Sequence, residues 1–200
     1  GKLGPTDDQL MPADVDGSNQ PPSGAPNPFT EIGTNATWKV WRFHVDFTTP
    51  ANSTLTGPTN LTVASYTTPC GGTGGTCVPQ SGTTQQLDTL GDRMMFRSAY
   101  RDFGDHESMV LTHSVANGTA TAMRWYELRI SGGTPSVFQQ STFAPDSTSR
   151  WMGSIAMDKS GGIALVYSAS SSSISPQIRV TGRVATDALN TMTQGETTFQ

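Results

Sequence analysis

The feature that most constrains this chain is a short strand pattern, an arginine between two apolar residues, that occurs three times. Trp41-Arg42-Phe43, Met123-Arg124-Trp125 and Ile178-Arg179-Val180 each lie in a short apolar-rich run and each closes a block of similar design. Before the third copy comes Trp151-Met152-Gly153-Ser154-Ile155-Ala156-Met157-Asp158, a Lys159-Ser160-Gly161-Gly162 turn, and the strand Ile163-Ala164-Leu165-Val166-Tyr167-Ser168. Before the second comes Glu107-Ser108-Met109-Val110-Leu111-Thr112-His113-Ser114-Val115, with Ala116-Asn117-Gly118 as its turn. Strand, tight turn, strand, loop, strand is an antiparallel meander. A period on the order of 50 residues with several strands per unit is the signature of β-propeller blades.

The chain is therefore expected to be all-β, with about three blade-type meanders that form part of a larger propeller, since rings close with four to eight. The expected units are 1–37, a Pro/Gly-rich loop or inter-blade segment; 38–90, a blade strand plus a cysteine loop; 91–132 and 133–186, one blade each; and 187–200, the start of a following segment. Pro21-Pro22 and Pro26-Asn27-Pro28 argue against regular structure in the first unit. Over Trp38–Phe47, alternation places Trp41, Phe43, Val45 and Phe47 on one buried face and Val40, Arg42, His44 and Asp46 on the other.

Charge narrows the partners. Only 14% of residues are charged and the net charge is −4, which leaves no basic footprint for a phosphate backbone. Nucleic acid is not an expected partner. No run approaches the roughly 18 apolar residues of a membrane helix, so membrane insertion is not expected either. The first residues are Gly1-Lys2-Leu3-Gly4, which fits a removed leader or a start inside a longer protein. Lysine occurs only at positions 2, 39 and 159, while Ser and Thr carry much of the polarity, a profile that points to a secreted or cell-surface protein.

Cys70 and Cys77 bracket Gly71-Gly72-Thr73-Gly74-Gly75-Thr76, whose glycines let the chain turn sharply enough for a disulfide. Two cysteines with no nearby ligand are too few for zinc. Sequons at Asn35, Asn52, Asn60 and Asn117 are acceptors only in a eukaryotic secretory pathway.

The densest ionisable cluster is Asp102, Asp105, His106 and Glu107. Asp105, His106 and Glu107 are the catalytic candidates, because carboxylates beside a histidine suit acid/base work; the bland reading is a capped turn around Gly104. Glycoside hydrolysis needs two carboxyls roughly 5 to 9.5 Å apart, with Glu127 or Asp158 as partners for that cluster. Arg93, Arg97 and Arg101 alternate along one expected strand; Arg97 and Arg101 are candidates for binding an anionic ligand or for pairing with acids. Trp125 and Trp151 offer an aromatic platform for sugars or core packing. Asp14-Val15-Asp16-Gly17-Ser18 contains half of a calcium loop, so Asp14 and Asp16 are candidate Ca²⁺ ligands, or else an Asx-turn. No other cofactor is implied. His44 and His113 lie in alternating strands and read as core or edge residues.

The segment Asp92-Arg93-Met94-Met95-Phe96-Arg97-Ser98-Ala99-Tyr100-Arg101-Asp102-Phe103-Gly104-Asp105-His106-Glu107-Ser108, with Arg124-Trp125-Tyr126-Glu127, Pro12-Ala13-Asp14-Val15-Asp16-Gly17 and Arg150-Trp151-Met152-Gly153-Ser154, resembles secreted bacterial propeller-like proteins of unassigned function. That resemblance implies that the chain is a slice of a longer protein with further blades. More distantly it implies sialidase-like propellers, yet their S-x-D-x-G-x-x-W box has no match here. Three functions follow as expectations. The first is a non-catalytic extracellular module that binds a carbohydrate, a protein surface or further copies of itself. The second is a carbohydrate-active hydrolase whose site is completed by blades outside the sequence. The third is a structural component of a cell-surface or filamentous assembly.

Overall fold

Glycine-rich turns set the strand pattern. Gly132 and Gly133 both adopt positive φ (55° and 75°) between the paired residues Ser131 and Thr134, the geometry of a two-residue type I′ hairpin that L side chains resist. At Asp158 the side chain makes the turn: its Oδ1 accepts the backbone N–H groups of Ser160 (2.7 Å) and Gly162 (2.9 Å). The computed structural model describes residues 3–5, 7 and 9–199, which are nearly all β; the one helical turn, Pro50–Asn52, is a 3₁₀ turn.

Three four-stranded antiparallel meanders result. The first comprises β1 (Met11–Val15), β2 (Asn27–Ile32), β3 (Thr37–His44) and β4 (Thr54–Thr62). After the short pair β5 (Thr76–Val78) and β6 (Leu87–Asp88), the second comprises β7 (Ser98–Asp102), β8 (Glu107–Asn117), β9 (Ala120–Ser131) and β10 (Thr134–Phe143). The third comprises β11 (Ser149–Met157), β12 (Ile163–Ser171), β13 (Ile174–Arg183) and β14 (Thr197–Thr198). Arg42, Arg124 and Arg179 all fall on the third strand of their meander.

The first two meanders join through a parallel β1–β7 pair into one eight-stranded sheet that curls until β10 approaches β4. Side chains bridge that closing edge. The Ala64 N–H donates to Gln140 Oε1 (2.9 Å), Arg124 Nη2 to the Ala64 carbonyl (3.2 Å), and Arg42 Nη1 to the Gly133 carbonyl (2.5 Å). Inside the curl lies one core, built on Trp38, Val40, Met109, Leu111, Tyr126 and Leu128. The third meander lays β11 across the opposite face of β7, β8 and β9, and a second core forms there from Val110, Met123, Trp125, Ile155, Leu165 and Tyr167. β8 and β9 are thus covered on both faces, which is why their residues, polar ones included, are buried almost without alternation.

Residues 63–97 strap the three meanders together at one end. The Val63 N–H reaches Ala36 in the first (2.9 Å), the Thr67 carbonyl takes the Ala116 N–H of the second (2.8 Å), and the Pro79 carbonyl takes Ser170 Oγ of the third (2.6 Å). The expected Cys70–Cys77 disulfide closes a loop within this strap. It is consistent with an oxidising, extracellular setting. Among the described residues no helix is long and apolar enough to cross a membrane.

Three expectations differ from this architecture. Segment 1–37 carries β1 and β2 rather than a loop; Pro12 and Pro28 are the second residues of their strands, where a missing N–H costs the ladder little. The strand Thr134–Phe143 pairs with β9 and belongs to the middle meander, and Thr197–Thr198 completes the third rather than opening a new unit. Over Trp38–Phe47 the core takes the face opposite to the expected one: Trp38 and Val40 enter the core, Trp41 is buried on the other face with its indole N–H donating to Glu31 Oε2 (3.2 Å), and Phe43, Val45 and Phe47 are exposed.

Candidate functional site

Where the first and second meanders meet, at the end opposite the strap, a cleft of about 350 Å³ opens. Pro22, Pro26, Pro28, Pro135, Val40 and Ile130 give it apolar walls, and Arg42 and Glu107 bring the two charges. Among the described residues the guanidinium of Arg42 makes one hydrogen bond, to the Gly133 carbonyl, and its other donors face no described partner. Glu107 opens β8, opposite Asp102 at the end of β7, and its Oε2 accepts the Tyr100 hydroxyl at 2.6 Å while Oε1 has no partner among the described residues. Burial, and then the bond to Glu107, push the Tyr100 phenol well above its ordinary value, so it is no phenolate near neutral pH.

The hairpin that carries Glu107 turns the rest of the ionisable cluster elsewhere. Asp102 Oδ1 caps the Gly104 N–H (2.7 Å). Asp105 Oδ1 lies 2.7 Å from His106 Nδ1, and with its side chain 83% exposed it stands in solvent rather than in a pocket. The His106 ring stacks on Phe103 (centroids 4.8 Å apart). Of Asp105, His106 and Glu107, only Glu107 lines the cleft; His106 faces a smaller cavity of about 170 Å³ between the second and third meanders.

The other expected residues are placed as follows. Arg97 donates to Asp14 Oδ2 (2.6 Å) and to both oxygens of Asp16 (2.8 and 2.7 Å), so a guanidinium sits between the two carboxylates considered for calcium. Among the described residues no group of three or more His, Cys, Asp or Glu is arranged to hold a metal ion. Arg101 Nε donates to the Met157 carbonyl (3.2 Å), and Gly17, at φ 89°, leaves the room its guanidinium needs. The expected arginine stripe is not one strand, because β7 begins only at Ser98. Trp125 and Trp151, at 0% and 4% exposure, have no ring face to offer a sugar. Glu127 is buried and saturated by Ser108 Oγ, Arg129 Nε and Gln139 Nε2, and Asp158 holds its turn, so neither partners the cluster. Glu107 is the only carboxylate among the residues lining the cleft, so paired-carboxylate hydrolysis is not assembled there.

Two arrangements were not visible in the sequence. His113 is fully buried among Trp38, Tyr66 and Tyr126, with Nε2 3.0 Å from the Tyr126 hydroxyl. Burial first, and the Arg124 charge second, push its pKa down to about 3, so it is neutral in the fold. Arg150, also fully buried, binds Glu196 through Nε (2.7 Å) and Nη2 (2.9 Å) and Asp146 through Nη1 (2.9 Å); Tyr167 and Arg179 close on the same Glu196. The 46 residues separating Arg150 from Glu196 hide that pairing from any local pattern.

Comparison of the chain with protein-family models, with curated proteins and with solved structures finds no match.

Proposed function

We propose that this chain is a non-catalytic extracellular module, an open array of three propeller-type blades, that works by binding or by assembly. The observation that carries the reading is the succession of three antiparallel meanders, the first two in one curled sheet and the third packed across it with its outer face partly exposed. An edge or face of this kind is met by a partner surface, be it protein, carbohydrate or another copy. The engagement of the charged residues supports the same reading: Arg97, Arg101, Glu127 and Asp158 hold the scaffold, and the cleft at the first seam keeps one cation and one carboxylate, a pair suited to anchoring a small ligand.

The hydrolase reading needs a second free carboxyl facing Glu107, which would have to come from a further blade. The test is to assay the purified protein against aryl glycosides, sialosides included, beside its solution mass by light scattering. Association or ligand binding without turnover is the expected result. Hydrolysis that Glu107→Gln abolishes overturns the proposal.

A further inference from the structure

The seam between the second and third meanders opens a cavity of its own, at the same end of the molecule as the first cleft. Its 170 Å³ or so lie beside Arg129, near the end of β9, and beside Ser160 and Gly161, just before β12. Phe103, Phe138, Met157 and Leu189 make apolar walls, and two guanidiniums, of Arg129 and Arg183, line the space against the one carboxylate of Glu127.

Arg183 belongs to the cross-strand row Met157–Ile163–Arg183, whose first two members are core residues packed toward the second meander, so its side chain points into the seam. It is only 4% exposed. Nη2 donates to the carbonyls of Asp187 (2.7 Å) and Ala188 (3.5 Å), while Nε is buried without a partner. Among the described residues Nη1 makes no hydrogen bond and no carboxylate forms an ion pair with this guanidinium. Asp187, four residues on, spends Oδ2 on the Val184 N–H (2.8 Å), the Thr193 hydroxyl and the Gln194 amide (3.0 Å). A buried cation in this state is costly until a counter-charge reaches it.

Arg129 is held from two sides. Its Nε donates to Glu127 Oε1 (2.9 Å), and its guanidinium sits over the Phe138 ring, 3.3 Å from the centroid. Among the described residues Nη1 and Nη2 make no hydrogen bond, so the terminal fork whose geometry matches a carboxylate is fixed and unspent. Glu127 neutralises Arg129 and leaves the Arg183 charge uncompensated. The cavity has room for on the order of six waters at ~30 Å³ each, which brings both guanidiniums within reach of one small molecule.

We propose that this cavity binds a small organic monocarboxylate, with the carboxylate on Arg129 and Arg183 and the apolar body against Phe103, Met157 and Leu189. A doubly charged phosphate is the poorer fit, because it would meet one surplus positive charge, apolar walls and the Glu127 carboxylate. The site is separate from the first-seam cleft and does not rest on the reading of that cleft.

Calorimetric titration of the purified protein at constant ionic strength tests this, with butyrate and benzoate as carboxylates, benzamide as an uncharged isostere and inorganic phosphate as a divalent anion. At least one carboxylate should saturate a single site with a Kd on the order of 1 mM, the reach of so few atoms, and benzamide and phosphate should bind at least ~10-fold more weakly. Arg129→Lys keeps a charge beside Glu127 but loses the fork, and should weaken the carboxylate by ~10-fold or more with the near-UV dichroism unchanged. In the parent protein labelled at its methionine methyls, the Met157 signal should move along the same saturation curve. No saturation by either carboxylate, benzamide or phosphate bound as tightly, a Met157 signal that stays still, or a folded Arg129→Lys that binds like the parent each overturns the inference. Loss of binding in Arg42→Gln but not in Arg129→Lys puts the carboxylate in the first seam, which sinks this inference and leaves the functional proposal standing. Turnover on glycosides with the carboxylate bound at Arg129 sinks the functional proposal alone.

Discussion

The same side-chain pair serves opposite ends in two parts of the molecule. At the first seam the Tyr100 hydroxyl donates to Glu107 at 2.6 Å; in the third meander the Tyr167 hydroxyl donates to Glu196 at 2.6 Å. Glu196 is then closed in by Arg150 and Arg179, both on β strands of the same sheet, whereas Glu107 keeps one oxygen toward an open cleft. Burial raises both phenols above their ordinary value of 10, so neither tyrosine is prepared as a nucleophile. What separates them is the number of cations paired with the carboxylate: Glu196 has two and is a structural lock, whereas among the described residues Glu107 has no ion pair and stays available to a ligand.

The largest test of this contrast is Arg150→Ala. It would leave Glu196, only 16% exposed, with Arg179 as its one guanidinium partner and remove the one that binds Asp146, and removing one partner of a buried ion pair costs ~3 to 5 kcal/mol. Urea unfolding should show that loss. A change below ~1 kcal/mol, the range of surface pairs, would mean that the lock contributes no more than they do.

The seams also differ in acid. The folded pKa of His113 lies at about 3, below its ordinary 6.5. Between those values the unfolded chain binds a proton that the fold does not, so this contribution is full above pH 6.5 and lost progressively as pH falls toward 3, at ~1.4 kcal/mol per pH unit at most. Asp146, held down to about 2 by the Arg150 guanidinium, gives its own loss only below its ordinary 3.8. The first seam therefore weakens in mild acid and the lock in strong acid. Stability measured from pH 7 to 4.5 should fall in the parent and fall less steeply in His113→Gln; equal slopes would remove His113 from the account.

Much of this fold was legible because it is written in local chemistry. Turn glycines, alternating strands and two cysteines around a glycine-rich loop give an all-β chain with its disulfide, and the recurring arginines mark the third strand of each meander. What escaped depends on distance. Phe43 lies outside the core because the core takes the face of Trp38 and Val40, and nothing between Trp38 and Phe47 signals which of the two alternating faces the second meander will cover. Trp125 and Trp151 read equally well as platform or core until the third meander is laid over them. The site was half visible. Glu107 stood out in its acidic cluster, but the proline wall and Arg42 come from a segment read as loop and from a strand read as scaffold.

The smallest expected effect is the most informative about Glu107. Glu107→Gln keeps the shape of the side chain and an acceptor for the Tyr100 hydroxyl, so the substitution exchanges a charged hydrogen bond for a neutral one at a partly open rim. The net value of such a bond is ~0.5 to 1.5 kcal/mol, well below the loss expected for Arg150→Ala. If Glu107 matters as a ligand anchor, its replacement should weaken binding at the cleft by more than it weakens the fold, and Arg42→Gln should do the same from the opposite charge. If Glu107→Gln instead unfolds the protein as severely as Arg150→Ala does, the carboxylate at the first seam is a second lock and the distinction between the two tyrosine pairs disappears.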